Sequence, residues 1–522
     1  MTFARRRIAV LVAPCLLMIF VPLAEGHFPK SAAPAPHISD AGSVLKEPQD
    51  GRVYQRDEND LGTIAIVLGD EVKNGKIGWA TLSPQGFEQG AELPVAFRDG
   101  KLTGVPVGGP YYLRIGLQVG DDSNIVGFNN IYVGDLWVLA GQSNMEGVGD
   151  LVNVTPPNDR VRMLGMNGDW SRAEEPLHWL VDSPDPVHSG DPATREERSE
   201  KAHKTRRKGA GLGLPFGVVL ASSTNVPIGL VTCAHGGTSM GQWDPAKKDE
   251  GGKSLYGSMI RQVNLAGGQV KGVLWYQGES DANEKAAEAY PKAMEDFIAA
   301  VRRDFGQSDL PFYLVQIGRV IRAGDPKAWK AVQEAERLLP GKVANTAVVS
   351  IIDLELDDGI HVGTQGLKHA GARLAKIALR DLYGQAGATM PTLERVTRGS
   401  GNTLVVKFKD VNRAPDAMGG RGSGANAASP TTPGKQATMR GLQPARHVAG
   451  FSIRTADGSD VPLIFEAMVG PSRDAVILKF TGKIPEGASL WYGWGFDPFC
   501  NLVDALDMAV PVFGPIALDP IK

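Results

Sequence analysis

The sequence predicts an α/β fold in which a doubly wound parallel sheet, in three α/β/α layers, is flanked by β-rich domains at both ends. Apolar runs such as LWVLA, LPFYLVQI and TAVVSIIDL have the length of buried parallel strands. Helical stretches at 286–305, 326–339 and 367–383 alternate with such runs. Before about residue 134 and after about residue 388, short β-like runs recur without such helices, which is typical of small β domains.

The length of 522 residues permits about three domains. The first residues predict a cleaved secretory leader, because Arg5, Arg6 and Arg7 precede a short apolar stretch that ends in small residues. An uncleaved anchor is the alternative, although the stretch is short for a span and contains two prolines. The predicted parts are a leader at 1–26, a flexible lead-in at 27–50, a β-sandwich-like domain at 51–133, an α/β domain at 134–388 and a β-rich domain at 389–522.

Two stretches inside these domains lack the periodicity of a packed element. Residues 187–213 are rich in charge and glycine, so we predict an exposed insertion in a loop. The alternative is that its basic cluster contacts an acidic sugar. Residues 412–447 are mostly Gly, Ala, Ser, Thr and Pro, which predicts a long loop or a disordered segment.

Composition narrows the class of protein and its location. A formal net charge of −3 argues against a partner such as nucleic acid. The leader predicts a secreted or periplasmic protein with no membrane contact after cleavage. Removal of the leader leaves Cys233 and Cys500, which either form one disulfide or remain buried thiols. The oligomeric state is not predicted.

Ser143 is the candidate nucleophile. It lies in GDLWVLAGQSNMEGVGDL, where an apolar run ends at Gly141 and a helix is expected to begin. At that place a side chain faces the crevice in which open α/β sheets bind ligands, and N–H groups of the next turn point at developing negative charge. Met145 stands where the nucleophile elbow of α/β-hydrolases has its last glycine, so that fold is disfavoured.

A second stretch, DLELDDGIHVGTQGLKHAGARLA, contains the residues that a serine nucleophile needs. Asp358 precedes His361 by three residues in a loop before a predicted helix, so the carboxylate and the imidazole can share one loop. A serine hydroxyl is a weak nucleophile until a base accepts its proton, and a carboxylate orients that base. Asp357 is the alternative orienting residue.

Two further strand-like runs end in glycine and polar residues, in IGLVTCAHGGTSMGQWDP and KGVLWYQGESDAN. Strands that end at one rim would bring Gly236, Gly237 and Gln277 close to Ser143. Backbone N–H groups and a glutamine amide are suitable donors to the oxyanion of an acyl transfer. The alternatives are that Gly-Gly is an ordinary turn and that Glu279 caps a helix.

The runs GQSNMEG, AHGGTSMGQW, LWYQGESDAN and DDGIH resemble, in order, the blocks of sialate O-acetylesterase-type carbohydrate esterases of the SGNH-hydrolase superfamily. Flanking runs such as VYQRDENDLGTIAI and YGWGFDPFCNLVDALDMAVPVF resemble the longer members. The resemblance implies an SGNH-like fold, with Ser143 as nucleophile, His361 as general base and Asp358 as its orienting partner. It implies an oxyanion hole of Ser143 and Gly237 N–H groups, with Gln277 in the place of the superfamily's asparagine. Candidate substrate contacts are Gln142, Asn144, Gly236, Glu279 and Trp494.

These observations predict a secreted serine esterase that removes O-acetyl groups from a carbohydrate partner through an acetyl-enzyme, without a metal or an organic cofactor. The first alternative is a carbohydrate-binding protein on the same scaffold that has lost turnover. The second is glycoside hydrolysis by Glu279 and Asp281, which is disfavoured because residues two apart point in different directions. A metal site of His235, His361 and the Asp357–Asp358 pair is disfavoured because the usual ligand spacings are absent from the sequence.

Overall fold

The computed structural model of the protein describes residues 44–86, 91–413 and 447–518. The predicted leader, most of the predicted lead-in and most of the predicted loop at 412–447 lie outside the described residues. Within the described ranges, no helix combines the length and the apolarity that crossing a bilayer requires.

The N-terminal part of the described chain consists mainly of strands, with one 3₁₀ turn at Asp70–Val72. The strands are β1 Leu45–Glu47, β2 Val53–Gln55, β3 Leu61–Ala65, β4 Val67–Leu68, β5 Lys76–Pro84, β6 Ala96–Arg98, β7 Lys101–Pro106, β8 Gly108–Val119 and β9 Asp122–Gly141.

Helices and strands then alternate as far as Tyr383. The elements are α1 Ser143–Glu146, β10 Gly149–Asp150, β11 Val161–Leu164, β12 Trp170–Arg172, α2 Pro186–Ser189, α3 Arg195–Thr205, β13 Lys208–Ala210, α4 Gly213–Thr224, β14 Ile228–Thr232, α5 Leu255–Ala266, β15 Gly272–Tyr276, α6 Glu284–Asp304, β16 Phe312–Val315, α7 Lys327–Leu338, β17 Thr346–Val349 and α8 Thr364–Tyr383. Further 3₁₀ turns are Leu180–Asp182, Pro192–Thr194, Pro245–Lys253, Glu279–Asp281 and Leu339–Gly341.

The C-terminal part is again formed by strands: β18 Thr392–Arg398, β19 Thr403–Lys409, β20 Phe451–Arg454, β21 Asp460–Val461, β22 Ile464–Val469, β23 Ala475–Phe480, β24 Ser489–Tyr492 and β25 Phe513–Ala517. They form two four-stranded antiparallel sheets, in the orders β18-β19-β23-β22 and β21-β20-β24-β25. Apolar side chains of both sheets, such as Val406, Leu478 and Leu490, form one buried cluster, so the two sheets share a core.

The central sheet carries parallel strands in the order β11-β14-β9-β15-β16-β17, with β12 antiparallel at one edge. Every residue of β14, β15 and β16 is buried. Successive side chains of a strand point to opposite faces, so both faces of this sheet are covered. The mixed α/β fold predicted from the sequence is confirmed. Strand β9 comes first in this region and lies in the middle of the sheet, so later strands are added on both sides of it. Sheets of this kind bind ligands at the carboxyl ends of the strands, at the place where the strand order reverses.

Strand β9 belongs to two parts of this sheet. Its first half pairs with β8 and its second half with β14 and β15, so the strand crosses the predicted domain boundary at 133/134 without a break. Asp135, fully buried in β9, accepts hydrogen bonds from the guanidinium of Arg56 at 3.0 and 2.8 Å and from Gln55 at 3.1 Å. The N-terminal strands are thus joined to the catalytic region by a strand and by an ion pair.

The insertion at 187–213 differs from its prediction as an exposed loop. Arg195–Thr205 forms helix α3, in which no residue is buried. The predicted exposure is therefore observed, but the prediction of a loop is wrong for these residues. Acidic residues in its first turn and basic residues in its last turn complement the helix dipole. The two ends of the insertion are anchored, because His188 is buried in α2 and β13 pairs with β10.

Both cysteines of the described residues are buried free thiols. Burial raises the pKa of Cys233, and it raises the pKa of Cys500 to about 12. Neither thiol has the depressed pKa of a reactive cysteine.

Candidate active site

The turn after β9 places Ser143 at the rim of the sheet. Gly141 has a φ of 133°, and a Cβ there would lie 2.2 Å from the carbonyl oxygen of Tyr276, so the position requires glycine. The N–H of Gln142 donates to that same carbonyl at 2.8 Å, which holds the turn against β15. Ser143 is consequently the first residue of α1 and is half-buried.

His361 lies against Ser143. Its Nε2 is 3.0 Å from the Oγ of Ser143, and its Nδ1 is 2.8 Å from Oδ2 of Asp358. A carboxylate only accepts, so the Nδ1 of a neutral His361 carries the proton and Nε2 is bare. That is the tautomer which a base needs to accept the serine proton.

The loop itself holds Asp358 in place. Its Oδ1 accepts the N–H groups of Ile360 and His361, both at 2.9 Å. Partial burial raises the pKa of Asp358, but the hydrogen bond from the His361 ring and the two N–H donors outweigh it and lower the pKa to about 2. Asp357, the alternative orienting residue, instead accepts from the N–H of Asp150 at 3.2 Å.

The loop after β14 borders Ser143 from the other side. A Cβ on Gly236 would lie 3.5 Å from the Cβ of Ser143, and Gly237 has a φ of 70° with open space around its Cβ position. The N–H of Gly236, a candidate substrate contact, donates to Glu146 at 2.8 Å. Among the described residues, the N–H groups of Ser143 and Gly237 have no acceptor. These two donors are available to bind an oxyanion.

The structure gives Gln277 a different role from the predicted third oxyanion donor. Its amide nitrogen donates to the carbonyl of Thr238 at 3.0 Å and to Asp281 at 2.6 Å, and its side chain is fully buried. Both neighbours are acceptors, which fixes the orientation of the amide and leaves it no free proton. Gln277 therefore holds the loop of Gly237 in place through its hydrogen bond to Thr238, the next residue.

Three of the candidate substrate contacts are buried and bonded within the protein instead. Asn144 donates to Glu279 at 3.0 Å and accepts the N–H of Val362 at 3.0 Å, so it links the serine turn to the histidine loop. Gln142 accepts from the amide of Gln277 at 3.3 Å. Burial raises the pKa of Glu279, although Asn144 and the nearby His361 partly oppose this.

Trp494, the last candidate contact, lies elsewhere. It lines a cavity of about 740 Å³ beside α7 together with Trp491, and neither Ser143 nor His361 is among the lining residues. The guanidinium of Arg454 lies 4.8 Å from the centre of its ring. Trp494 is therefore not placed at the candidate active site.

Sequence reasoning missed two contributions to the site. Glu146, the fourth residue of α1, holds the N–H of Gly236 with one carboxylate oxygen, while the other is 3.5 Å from the guanidinium of Arg206. Burial raises the pKa of Glu146, and the Gly236 N–H and the Arg206 charge reduce this effect. Its position three residues after Ser143, on the same short helix, was the available signal.

The second missed contribution is Lys208, in β13. Its ammonium lies 3.9 Å from Asp358 and 3.8 Å from Asp150, and β13 pairs with β10 close to the serine turn. The end of the insertion thus brings a positive charge to the rim. The remaining polar groups do not form a metal site: within the described residues no group of three or more His, Cys, Asp or Glu side chains is placed to hold an ion.

A serine, a bare imidazole nitrogen and a carboxylate in line at the rim of a parallel α/β sheet define a class, the serine hydrolases. The crystal structure of a carbohydrate acetylesterase from Xanthomonas citri aligns with 89% of this chain and 97% of its own, with a TM-score of 0.58 and 22% identity, which shows a shared fold.

Sequence comparison specifies the family. The model of sialic acid-specific acetylesterases, a family of carbohydrate esterases, matches residues 133–380. A probable carbohydrate esterase from Arabidopsis thaliana is 30% identical over 267 residues, which cover 47% of this chain and 90% of that protein. The human sialate O-acetylesterase is 26% identical over 244 residues, and the chain covers 44% of its length. The protein belongs to the carbohydrate esterases and is a carboxylic ester hydrolase, so the predicted enzyme class is confirmed.

Proposed function

We propose that the protein removes O-acetyl groups from carbohydrates through an acetyl-enzyme on Ser143. His361 accepts the serine proton while Oγ bonds to the acetyl carbonyl carbon, and the N–H groups of Ser143 and Gly237 bind the oxyanion. The protonated His361 then gives its proton to the sugar oxygen, and the bond from carbonyl carbon to that oxygen breaks. A water molecule, deprotonated by His361, then attacks the carbonyl carbon of the acetyl-enzyme. The bond from that carbon to Oγ breaks, His361 returns the proton to Ser143, and acetate leaves.

One observation carries this proposal. The Oγ of Ser143 is 3.0 Å from a histidine nitrogen whose other ring nitrogen is bonded to a carboxylate. A carbohydrate-binding protein without turnover would have no need to keep this geometry, which favours an enzyme over that alternative. Glycoside hydrolysis is disfavoured because Glu279 is bonded to Asn144, and Asp281 is bonded to Gln277 and to the N–H of Met240.

The carbohydrate part of the substrate follows from the family and from the names of its relatives. The leader predicted at 1–26 adds export to the proposal. N-terminal sequencing of the protein from the periplasm or the medium tests export, with a new N-terminus near residue 27 as the expected result. An intact leader on the exported protein would contradict it.

The test of the chemistry is acetate release from a panel of O-acetylated glycans by wild type, Ser143→Ala and Ser222→Ala. Ser222 is an exposed serine of α4 and serves as the matched control. We expect Ser143→Ala to fold normally and to lose acetate release nearly to background, and Ser222→Ala to behave as wild type. Rapid acetate release by a folded Ser143→Ala protein would contradict the mechanism. If wild type released no acetate from any glycan, the proposed substrate class would be wrong.

A further inference from the structure

A second chain of polar side chains ends beside the candidate active site. Arg261 of α5 donates to Oδ2 of Asp185 at 2.8 Å, and the hydroxyl of Ser258 donates to that same oxygen. The hydroxyl oxygen of Ser258 is 3.1 Å from Nε2 of His188, and Nδ1 of His188 is 3.0 Å from Nδ1 of His235. Asp185, Ser258 and His188 are buried.

The chemistry of each link fixes where the protons lie. A carboxylate paired with an arginine only accepts hydrogen bonds, so the hydroxyl of Ser258 donates its one proton to Asp185. The oxygen of Ser258 must then accept a hydrogen bond from Nε2–H of His188. Burial, and then the nearby imidazoles and Arg261, lower the pKa of His188 to about 3, so its ring is neutral and its Nδ1 is bare. The contact with His235 therefore needs a proton on Nδ1 of His235.

The far edge of the His235 ring is consequently an acceptor. Burial lowers the pKa of His235 as well, so its ring is neutral, with the proton on Nδ1 and a lone pair on Nε2. His235 is half-buried, and within the described chain its Nε2 has no hydrogen-bond partner. The buried edge of the ring faces His188, which leaves the edge with Nε2 for solvent or a ligand.

His235 lies beside the serine turn and next to the glycine that carries the proposed oxyanion donor. Its N–H donates to the carbonyl of Gly141 at 3.0 Å, next to the serine turn, and it precedes Gly236 and Gly237 directly. The oxyanion donor and this imidazole therefore belong to one three-residue segment. The unprotonated Nε2 of His235 can accept a hydrogen bond here. The hydrogen-bond donors of a carbohydrate are its hydroxyl groups.

We propose that Nε2 of His235 accepts a hydrogen bond from a free hydroxyl of the acetylated sugar, and that the chain from Arg261 to His188 sets the tautomer that makes it an acceptor. The inference rests on the proposed function and names a recognition residue for it. The substrates would then be acetylated sugars that keep a free hydroxyl near the ester. His235 acts in substrate binding and takes no part in the proton transfers.

The test is a coupling cycle between His235 and the sugar hydroxyls. Acetate release is measured for a mono-O-acetylated methyl glycoside that wild type hydrolyses and for its deoxy counterparts, each lacking one hydroxyl, with wild type, His235→Phe and His235→Gln. We expect one deoxy change to lower kcat/KM of wild type about fivefold or more and to have a much smaller effect in His235→Phe. His235→Gln keeps an acceptor oxygen near the place of Nε2 and should retain most of the coupling. His369→Gln, at an exposed histidine of α8, is the control.

Two results would overturn the inference. If each deoxy change costs wild type and His235→Phe the same factor, the imidazole does not contact a sugar hydroxyl, although acetate release by wild type would leave the proposed function intact. Nitrogen NMR of the wild-type histidine rings gives an answer that needs no variant. A neutral His235 with its proton on Nδ1 supports the assignment, and a proton on Nε2 contradicts it.

Discussion

Two histidines lie in the loops that border Ser143, and the surroundings of their rings are opposite. His361 is part-exposed and contacts the carboxylate of Asp358 directly. His235 contacts a buried neutral imidazole, and the first carboxylate along that chain of hydrogen bonds is two side chains further away. A carboxylate in contact stabilises the protonated ring, which suits a base that must carry a proton during turnover. A buried neutral partner opposes protonation, which suits a ring that only accepts a hydrogen bond.

The largest difference between the two rings should appear on their removal. We expect His361→Ala to lower kcat/KM for acetate release by about 10³-fold or more, because Ser143 loses its base. His235→Ala should cost far less, since only a binding contact is lost. Steady-state rates on one acetylated glycoside, with circular dichroism as the check on folding, measure both. Equal losses would mean that the two rings share one role.

The carboxylates next to His361 should differ in the same way. We expect Asp358→Asn to lower kcat about 10²-fold, less than His361→Ala does, because the aspartate orients the base without taking the proton. Asp357→Asn removes only an acceptor for the N–H of Asp150 and should cost much less. Comparing kcat of the two variants decides the matter, and the reverse order would make Asp357 the orienting residue.

The anchor of the oxyanion loop should have a moderate effect. Glu146→Ala frees the N–H of Gly236, so the neighbouring Gly237 is held less firmly, and we expect kcat to fall about tenfold with little change in KM. Glu146→Gln keeps an acceptor and should recover most of the rate. Glu200→Ala, at an exposed glutamate of α3, is the control. An unchanged kcat in Glu146→Ala would show that the loop holds its shape without this carboxylate.

The buried ring of His188 should affect stability against pH and leave the chemical step unchanged. The pKa of His188 is lowered from 6.5 to about 3, so between these values the unfolded chain binds more protons than the folded one. The stabilisation is complete above pH 6.5 and is lost as the pH falls toward 3, by at most about 1.4 kcal/mol per pH unit. Urea unfolding over this range should show a shallower slope for His188→Gln than for wild type. Parallel slopes would mean that His188 is charged in the folded protein.

The part of the site that follows strands could be predicted from the sequence. Ser143, Gly237 and the loop of His361 each come shortly after an apolar run, and the carboxyl ends of parallel strands meet at one rim. The observed limits of α6 and α8 differ from the predicted ones by no more than three residues, because long amphipathic stretches carry a clear period.

The part that depends on packing between distant segments could not be predicted. The amide of Gln277 was expected at the oxyanion, but the carbonyl of Thr238 and the carboxylate of Asp281 attract it away from the substrate. His188 and Arg206 lie in or beside a stretch of charge and glycine that has no periodicity. Their burial is decided by contacts with α5 and with Glu146, which no local pattern records.

Strand β9 limits how this enzyme can be divided. The region that matches the family begins at residue 133, inside the strand, so a fragment cut there would lose β2, β8 and the half of β9 that pairs with β8. Asp135 would remain, fully buried, without Arg56 and Gln55. An unpaired buried carboxylate costs several kcal/mol, of the same order as the whole stability of a domain. The hydrolase region therefore cannot be separated from the N-terminal strands without a loss of stability. Fragments or fusion proteins that carry this region must include those strands.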